Sequence, residues 1–196
     1  MLIVGIGGTT RPGSTSELAV ATALAAAQRK GADTRHFGGT YLASLPHYTP
    51  ENPARTAAQH ELVETVRHAD GLIIATPGYH GGISALVKNA LDLLEDLRTD
   101  TSPYFTGRAV GCIVTAAGWQ ACGTTLTSLR SVVHAMRGWP TPLGVTLNTA
   151  ATPPFGRDGA CTGPAADRLT GLANQVLSFA TCHASGPRDP ATAPTA

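Results

Sequence analysis

The sequence predicts a doubly wound parallel α/β sheet, and three observations carry that prediction. Apolar runs of strand length alternate with helical patterns along the chain, which is the order of βαβ units. Two of the runs, Gly71-Leu72-Ile73-Ile74-Ala75-Thr76 and Ala109-Val110-Gly111-Cys112-Ile113-Val114-Thr115, are continuous, as strands buried on both faces are. Glycine-bearing loops of unusual composition follow the first, third and fourth strands. Five strands suit the order 2-1-3-4-5, a three-layer sandwich with helices on both faces of the sheet. In that order strand 3 lies between strands 1 and 4. The three loops then meet at the carboxyl edge, where such sheets bind ligands.

The elements follow in order. Leu2 to Ile6 is the first strand, and a helix runs from about Ser14 to Lys30, with Leu18, Ala21, Thr22 and Ala25 on one face and Gly31 as its stop. Asp33 to Phe37 is the second strand. A long irregular stretch, about Gly38 to Arg55, carries Pro46, Pro50 and Pro53 and is read as a functional or covering loop. A helix with Ala58, Leu62, Val63, Val66 and Ala69 at helical spacing leads into the third strand, 71–76. After Pro77-Gly78-Tyr79-His80-Gly81-Gly82 comes an amphipathic helix with Ile83, Leu86, Val87, Ala90, Leu91, Leu94 and Leu97. The fourth strand, 109–115, is followed by Ala116-Ala117-Gly118-Trp119-Gln120 and by a helix carrying Leu126, Leu129, Val132, Val133 and Met136. Gly138-Trp139-Pro140 ends it, because proline cannot continue a helix. Residues 141–147 read as the fifth strand, Thr149 to Gly163 as a loop, and Pro164 to His183 as the last helix. Residues 1–184 thus form one domain, and residues 185–196, with Pro187, Pro190 and Pro194, read as a disordered tail.

Composition narrows the function. A net charge of +1 with 14% charged residues gives no polyanion surface, so no nucleic-acid partner is expected. No apolar run approaches bilayer length, and the strand at the N-terminus leaves no room for a signal peptide, so a cytoplasmic protein without a membrane partner is expected. Four scattered cysteines and seven scattered histidines have neither zinc nor disulfide spacing, and no metal is expected.

The first loop, Gly7-Gly8-Thr9-Thr10-Arg11-Pro12-Gly13-Ser14-Thr15-Ser16, joins a strand to a helix N-terminus. Free N–H groups, the helix dipole, hydroxyls and an arginine make an anion cradle there. Two nucleotide motifs nearly fit and fail. Counted from Gly5, the third glycine of the dinucleotide fingerprint is Thr10; counted from Gly8, the lysine of a P-loop is Ser14. A single phosphate needs neither. The second loop offers Pro77, Gly78, Tyr79, His80 and Gly81, with glycines that let backbone approach a flat ligand. The third offers Ala116, Ala117, Gly118 and Trp119, an indole that can stack. Other readings stay open: Tyr79 covering the sheet edge, His80 as a surface residue, Trp119 as packing, and His47 and Tyr48 as loop anchors or a pocket cap. A phosphate at one end and a planar ring at the other is the shape of FMN.

These motifs resemble the flavodoxin-like NAD(P)H-dependent FMN reductase family, which includes quinone, azo-dye and chromate reductases. The family's first loop reads close to G-S-x-R-x-x-S-x-N or T. Here Thr9 replaces serine and Ser16 the last residue, and both keep a hydroxyl. The second motif, near P-x-Y-[NH]-G-S-[IP]-x-[GA]-x-[LV]-K-N-[AL]-[LI]-D, is met by Pro77 through Asp92, with Gly78 where many members have Glu and His80 where many have Asn. Leu45-Pro46-His47-Tyr48 resembles the family's L-P-x-Y piece, while Ala116-Ala117-Gly118 is less glycine-rich than the usual third loop. The resemblance covers about residues 1–180. It implies noncovalent FMN, held by Thr9, Arg11, Ser14, Thr15, Ser16, Pro77, Gly78, Tyr79, His80, Gly81, Ala116, Ala117, Gly118 and Trp119. It also implies a homodimer or a tetramer of dimers, and NAD(P)H giving hydride to the flavin before a small acceptor takes the electrons. The acceptor is expected to be free flavin, a quinone or a similar molecule. No general acid or base is assigned, because the cofactor carries such chemistry. Lys88, Asn89 and Asp92 are read as a structural or subunit-contact cluster. Two alternatives are a flavoenzyme dedicated to one biosynthetic intermediate and a flavodoxin-type electron carrier. The second is weaker, because the chain has no acidic face.

Overall fold

A computed structural model describes residues 1–151 and 153–184; the expected tail, 185–196, lies outside the described residues. The elements are β1 (Leu2–Gly7), α1 (Thr15–Gln28), β2 (Asp33–Phe37), α2 (Gly39–Ser44), α3 (Ala57–Arg67), β3 (Gly71–Pro77), α4 (Ala85–Asp92), a 3-10 turn (Leu93–Leu97), β4 (Ala109–Ala116), α5 (Trp119–Ala135), β5 (Trp139–Pro140), β6 (Val145–Asn148) and α6 (Gly163–Ala184). The sheet is parallel and runs β2-β1-β3-β4-β5, with β6 also pairing β4. This is the predicted 2-1-3-4-5 order.

Every residue of β3 and β4 is buried, which is why both read as unbroken apolar runs. The pleat sends Val4, Ile6, Leu72, Ile74, Val110 and Cys112 to one face, where they meet Leu62 and Val66 of α3, Val87 of α4 and Leu129 and Val133 of α5. Ile3, Ile73, Ala75 and Ile113 face the other way, onto α1 and α6. Glycine in the strands allows that second layer to sit close. A Cβ at Gly5 would lie 2.7 Å from Leu24 Cδ1, and one at Gly111 would run into Leu172.

Four expectations need correction. The face of α1 is not Leu18, Ala21, Thr22 and Ala25; the buried residues are Ser16, Ala19, Val20, Ala23, Leu24, Ala26 and Ala27. Alanine covers the helix nearly all round, so its sequence carries little contrast to mark a face. The stretch after β2 is not irregular throughout, because α2 occupies Gly39–Ser44. The fifth strand, expected over 141–147, is split. β5 pairs with β4 at Ala109 and Val110, and β6 pairs at Ile113 to Ala116. Pro140 and Pro142 flank the break, and Thr141 Oγ donates to Leu143 O at 2.8 Å within it. The helix after the second loop is also shorter than its pattern. The α-helix stops at Asp92, and Leu93, Leu94 and Leu97 are buried from the 3-10 turn instead.

Among the described residues no helix is long and apolar enough to cross a membrane.

Candidate functional site

The site is built from the loops after β1, β3 and β4, which are adjacent strands. In the first loop Thr9 Oγ accepts the Arg11 N–H at 3.1 Å and so fixes the turn. Ser14 caps α1, its hydroxyl accepting the Glu17 N–H at 3.4 Å. Ser14 and Ser16 are 2% and 1% exposed, and their hydroxyls face each other at 3.4 Å. The backbone N–H groups of Ser14, Thr15 and Ser16 have no partner among the described residues. Arg11 is exposed, and its guanidinium has no partner among them either. Three consecutive free donors, two buried hydroxyls and a free arginine fit a phosphate at the positive end of a helix.

The second loop is a two-residue turn. Tyr79 N–H donates to Gly82 O at 3.2 Å, and Gly82 N–H returns to Tyr79 O at 2.9 Å. His80 (φ +53°) and Gly81 (φ +78°) between them are both left-handed, as a type I′ turn requires. Histidine tolerates that region better than most side chains, and a β-branched residue does not. Relative to His80→Gly, His80→Val is expected to lower stability by about 1–2 kcal/mol. Urea midpoints of the two variants measure the difference, and equal midpoints would show that the turn does not hold this conformation. The far side of the turn is anchored. Ser84 caps α4, and its N–H donates to the buried Thr76 Oγ at 2.9 Å.

The second and third loops touch. Gly78 N–H donates to Thr115 O at 2.8 Å, and a Cβ at Gly78 would lie 3.3 Å from Ala116 Cβ and 2.7 Å from Thr125 Oγ. Thr125 is fully buried and its hydroxyl has no hydrogen-bond partner among the described residues. Ala116 ends β4, Ala117 is exposed, and Trp119 is the first residue of α5 rather than a loop residue. Tyr79 and Trp119, at 56% and 59% exposed, are among the few large apolar side chains left open; one stands on the second loop and the other opens α5 just after the third. The structure thus brings Pro77, Gly78, Ala116 and the start of α5 together and sets the cradle of Thr9 to Ser16 at the end of the neighbouring strand.

Tyr48 anchors its loop rather than standing free. Its N–H donates to Asn89 Oδ1 at 2.8 Å, and Arg55 lies over its ring at 5.1 Å. Lys88 bonds Asp92 one turn on, and Asn89 is buried, consistent with the structural reading of that cluster.

Sequence reasoning missed three parts of the site. Glu17 is one: its carboxylate accepts the Gly13 N–H at 2.9 Å and the Gly39 N–H at 3.1 Å. The Ser14-x-x-Glu17 spacing was the signal that could have found it. Gly39 is the second, since a Cβ there would fall on Thr9 O. His36 is the third; burial pushes its imidazole below the usual range, with Glu17 and the Gly7 backbone opposing the shift. A cavity of about 660 Å³ also opens beside Trp119, lined among others by Leu147, Asn148, Phe155, Gly163 and Arg168. No sequence pattern marked it.

Residues 1–152 match the family model described as NADPH-dependent FMN reductase. A curated FMN-dependent NADPH-azoreductase of Staphylococcus aureus is 37% identical over 88 residues, which span 45% of this chain and only 43% of that relative. Among solved structures, the NAD(P)H:(acceptor) oxidoreductase FerB of Paracoccus denitrificans superposes with a TM-score of 0.73 at 18% identity, covering 93% of this chain and 98% of that one. The apo form of the NADH:FMN oxidoreductase EMOB gives 0.69 at 23% identity, covering 95% and 91%. These two structures share the fold with this chain.

Proposed function

Because the chain belongs to the NADPH-dependent FMN reductase family, we propose that it is an FMN-dependent NAD(P)H oxidoreductase whose acceptor is free flavin, a quinone or a similar small molecule. The observation that carries this reading is the cradle at the end of β1, with three free N–H groups and two buried hydroxyls at the head of α1. In this reading Thr9, Arg11, Ser14, Thr15 and Ser16 hold the phosphate. Pro77, Gly78, Tyr79, His80, Gly81, Ala116, Ala117, Gly118 and Trp119 surround the ring. FMN bound there supplies the redox chemistry, taking hydride from NAD(P)H and passing two electrons on. The chain's part is to hold the phosphate, present backbone donors to the ring and shield its faces. Two exposed aromatic residues beside the site support a homodimer in which a second subunit covers them. Dependence on NAD(P)H supports a cytoplasmic location.

The test is FMN titration of the purified protein, followed by NAD(P)H oxidation under anaerobic conditions with a panel of acceptors. Protein that takes up no FMN refutes the reading. Arg11→Ala is expected to weaken FMN binding by about 1.5–3 kcal/mol, roughly 10- to 150-fold, because it removes a charge-assisted phosphate contact. Unchanged flavin affinity would show that the loop does not grip the phosphate.

The cavity beside Trp119 favours a second reading, a flavoenzyme dedicated to one organic substrate. Steady NAD(P)H consumption with free FMN or menadione alone argues against it.

A further inference from the structure

The spacing Ser14-x-x-Glu17 is that of a capping box. The chain builds a complete box at α3, where Gln59 Oε1 accepts the Thr56 N–H at 2.8 Å and Thr56 Oγ accepts the Gln59 N–H at 3.3 Å. At α1 only half of it forms. Ser14 Oγ accepts the Glu17 N–H, but the Glu17 carboxylate turns away from Ser14. Its two oxygens take the Gly13 and Gly39 N–H groups at 2.9 and 3.1 Å. Gly38 makes room for this, since a Cβ there would run into Glu17 Oε1. Two consequences follow. The Ser14 N–H is released to the mouth of the loop, and a negative charge is fixed one peptide away from the three free donors.

Glu17 forms no ion pair among the described residues, and Arg35 is paired with Glu61. The nearby imidazole of His36 is pushed below its ordinary range by burial. Arg11 is the loop's own cation, and it forms no ion pair among the described residues.

Building on the FMN reading above, we propose that Glu17 sets the flavin preference of the site: its fixed carboxylate opposes the FMN phosphate, so that FMN exchanges with solution and free flavin is a substrate rather than a permanently held group. The same carboxylate ties the first loop to α2. The loop is thereby held in shape by the chain itself.

Equilibrium titration of the full chain with FMN and with riboflavin, which lacks the phosphate, tests this. Wild-type protein is expected to prefer FMN to riboflavin by less than about a hundredfold. Glu17→Gln removes the charge and keeps one acceptor oxygen for one of the two N–H groups. It is expected to tighten FMN by roughly tenfold while riboflavin moves by less than about twofold. The gap between the variants should narrow as sodium chloride is raised, because salt screens the repulsion. A Glu17→Gln variant that binds FMN more weakly, or that shifts both flavins equally, overturns the proposal and leaves Glu17 a structural tie. Should that variant not fold, the wild-type ratio decides alone, and a preference for FMN beyond about a hundredfold overturns the proposal. Wild-type protein that binds riboflavin and FMN equally poorly refutes the FMN reading itself, and this inference falls with it.

Discussion

Gly39→Ala is expected to lower stability by about 3 kcal/mol or more and to weaken FMN binding. A Cβ at Gly39 would fall on Thr9 O and lie 2.7 Å from Thr9 N, and both are backbone atoms that cannot rotate away. Gly8 meets the same surface from the other side, since a Cβ there would run into Gly39 N. The start of α2 therefore lies directly on the peptide of Thr9. An added methyl group must push α2 off the sheet edge or displace the first loop. Either movement breaks the bond from the Gly39 N–H to Glu17, which holds loop and helix together. For a domain of this size the loss corresponds to a fall in melting temperature of roughly 6–12 °C. Thermal unfolding of the apo protein measures the first effect and FMN titration at low temperature the second. A variant that melts with the wild type would show that α2 is not seated against the loop.

This contact also marks where sequence reading ends. Strands β3 and β4 are legible because burial on both faces leaves nothing but apolar residues in them, and the sheet order follows from the alternation of elements. The hydroxyls and arginine between β1 and α1 are legible as a group because Thr9, Arg11, Ser14 and Ser16 stand within one short stretch of chain. Glu17 and Gly39 are 22 residues apart, and only folding brings a carboxylate to that glycine N–H. α2 is six residues long and begins at Gly39 behind Gly38, so it offers neither propensity nor periodicity to read. The buried face of α1 is hidden by its alanines. The Thr125 hydroxyl, orphaned beside Gly78, reads in sequence as one more polar residue in a helix.

Asn89→Ala is expected to cost about 2–3 kcal/mol of stability while leaving FMN affinity within about threefold of wild type. The residue sits in the longest family-like motif of the chain, beside Lys88, and that position invites a cofactor role. Its contacts point elsewhere. Asn89 is 8% exposed, its Oδ1 accepts the Tyr48 N–H at 2.8 Å, and its Nδ2 donates to Pro46 O at 3.2 Å. Gln59 Nε2 reaches the same Pro46 carbonyl at 3.2 Å, and Arg55 grips Asp96 through two bonds of 2.8 and 2.9 Å. Side chains from α3, α4 and the 3-10 turn thus fasten the stretch from Leu45 to Arg55, which is otherwise mostly exposed and carries little packing of its own. Alanine at 89 leaves the Tyr48 N–H unpaired, whereas Pro46 O keeps Gln59; the loss is therefore larger than one ordinary hydrogen bond and smaller than the removal of the whole loop. Urea unfolding gives the stability change, and limited proteolysis between residues 46 and 55 should show earlier cleavage than in the wild type. An Asn89→Ala protein of unchanged stability that has lost FMN would place this amide at the cofactor instead. The expected result makes the asparagine of the K-N pair a support for the loop that flanks the site, fixed by the chain's own carbonyl and N–H rather than by the flavin.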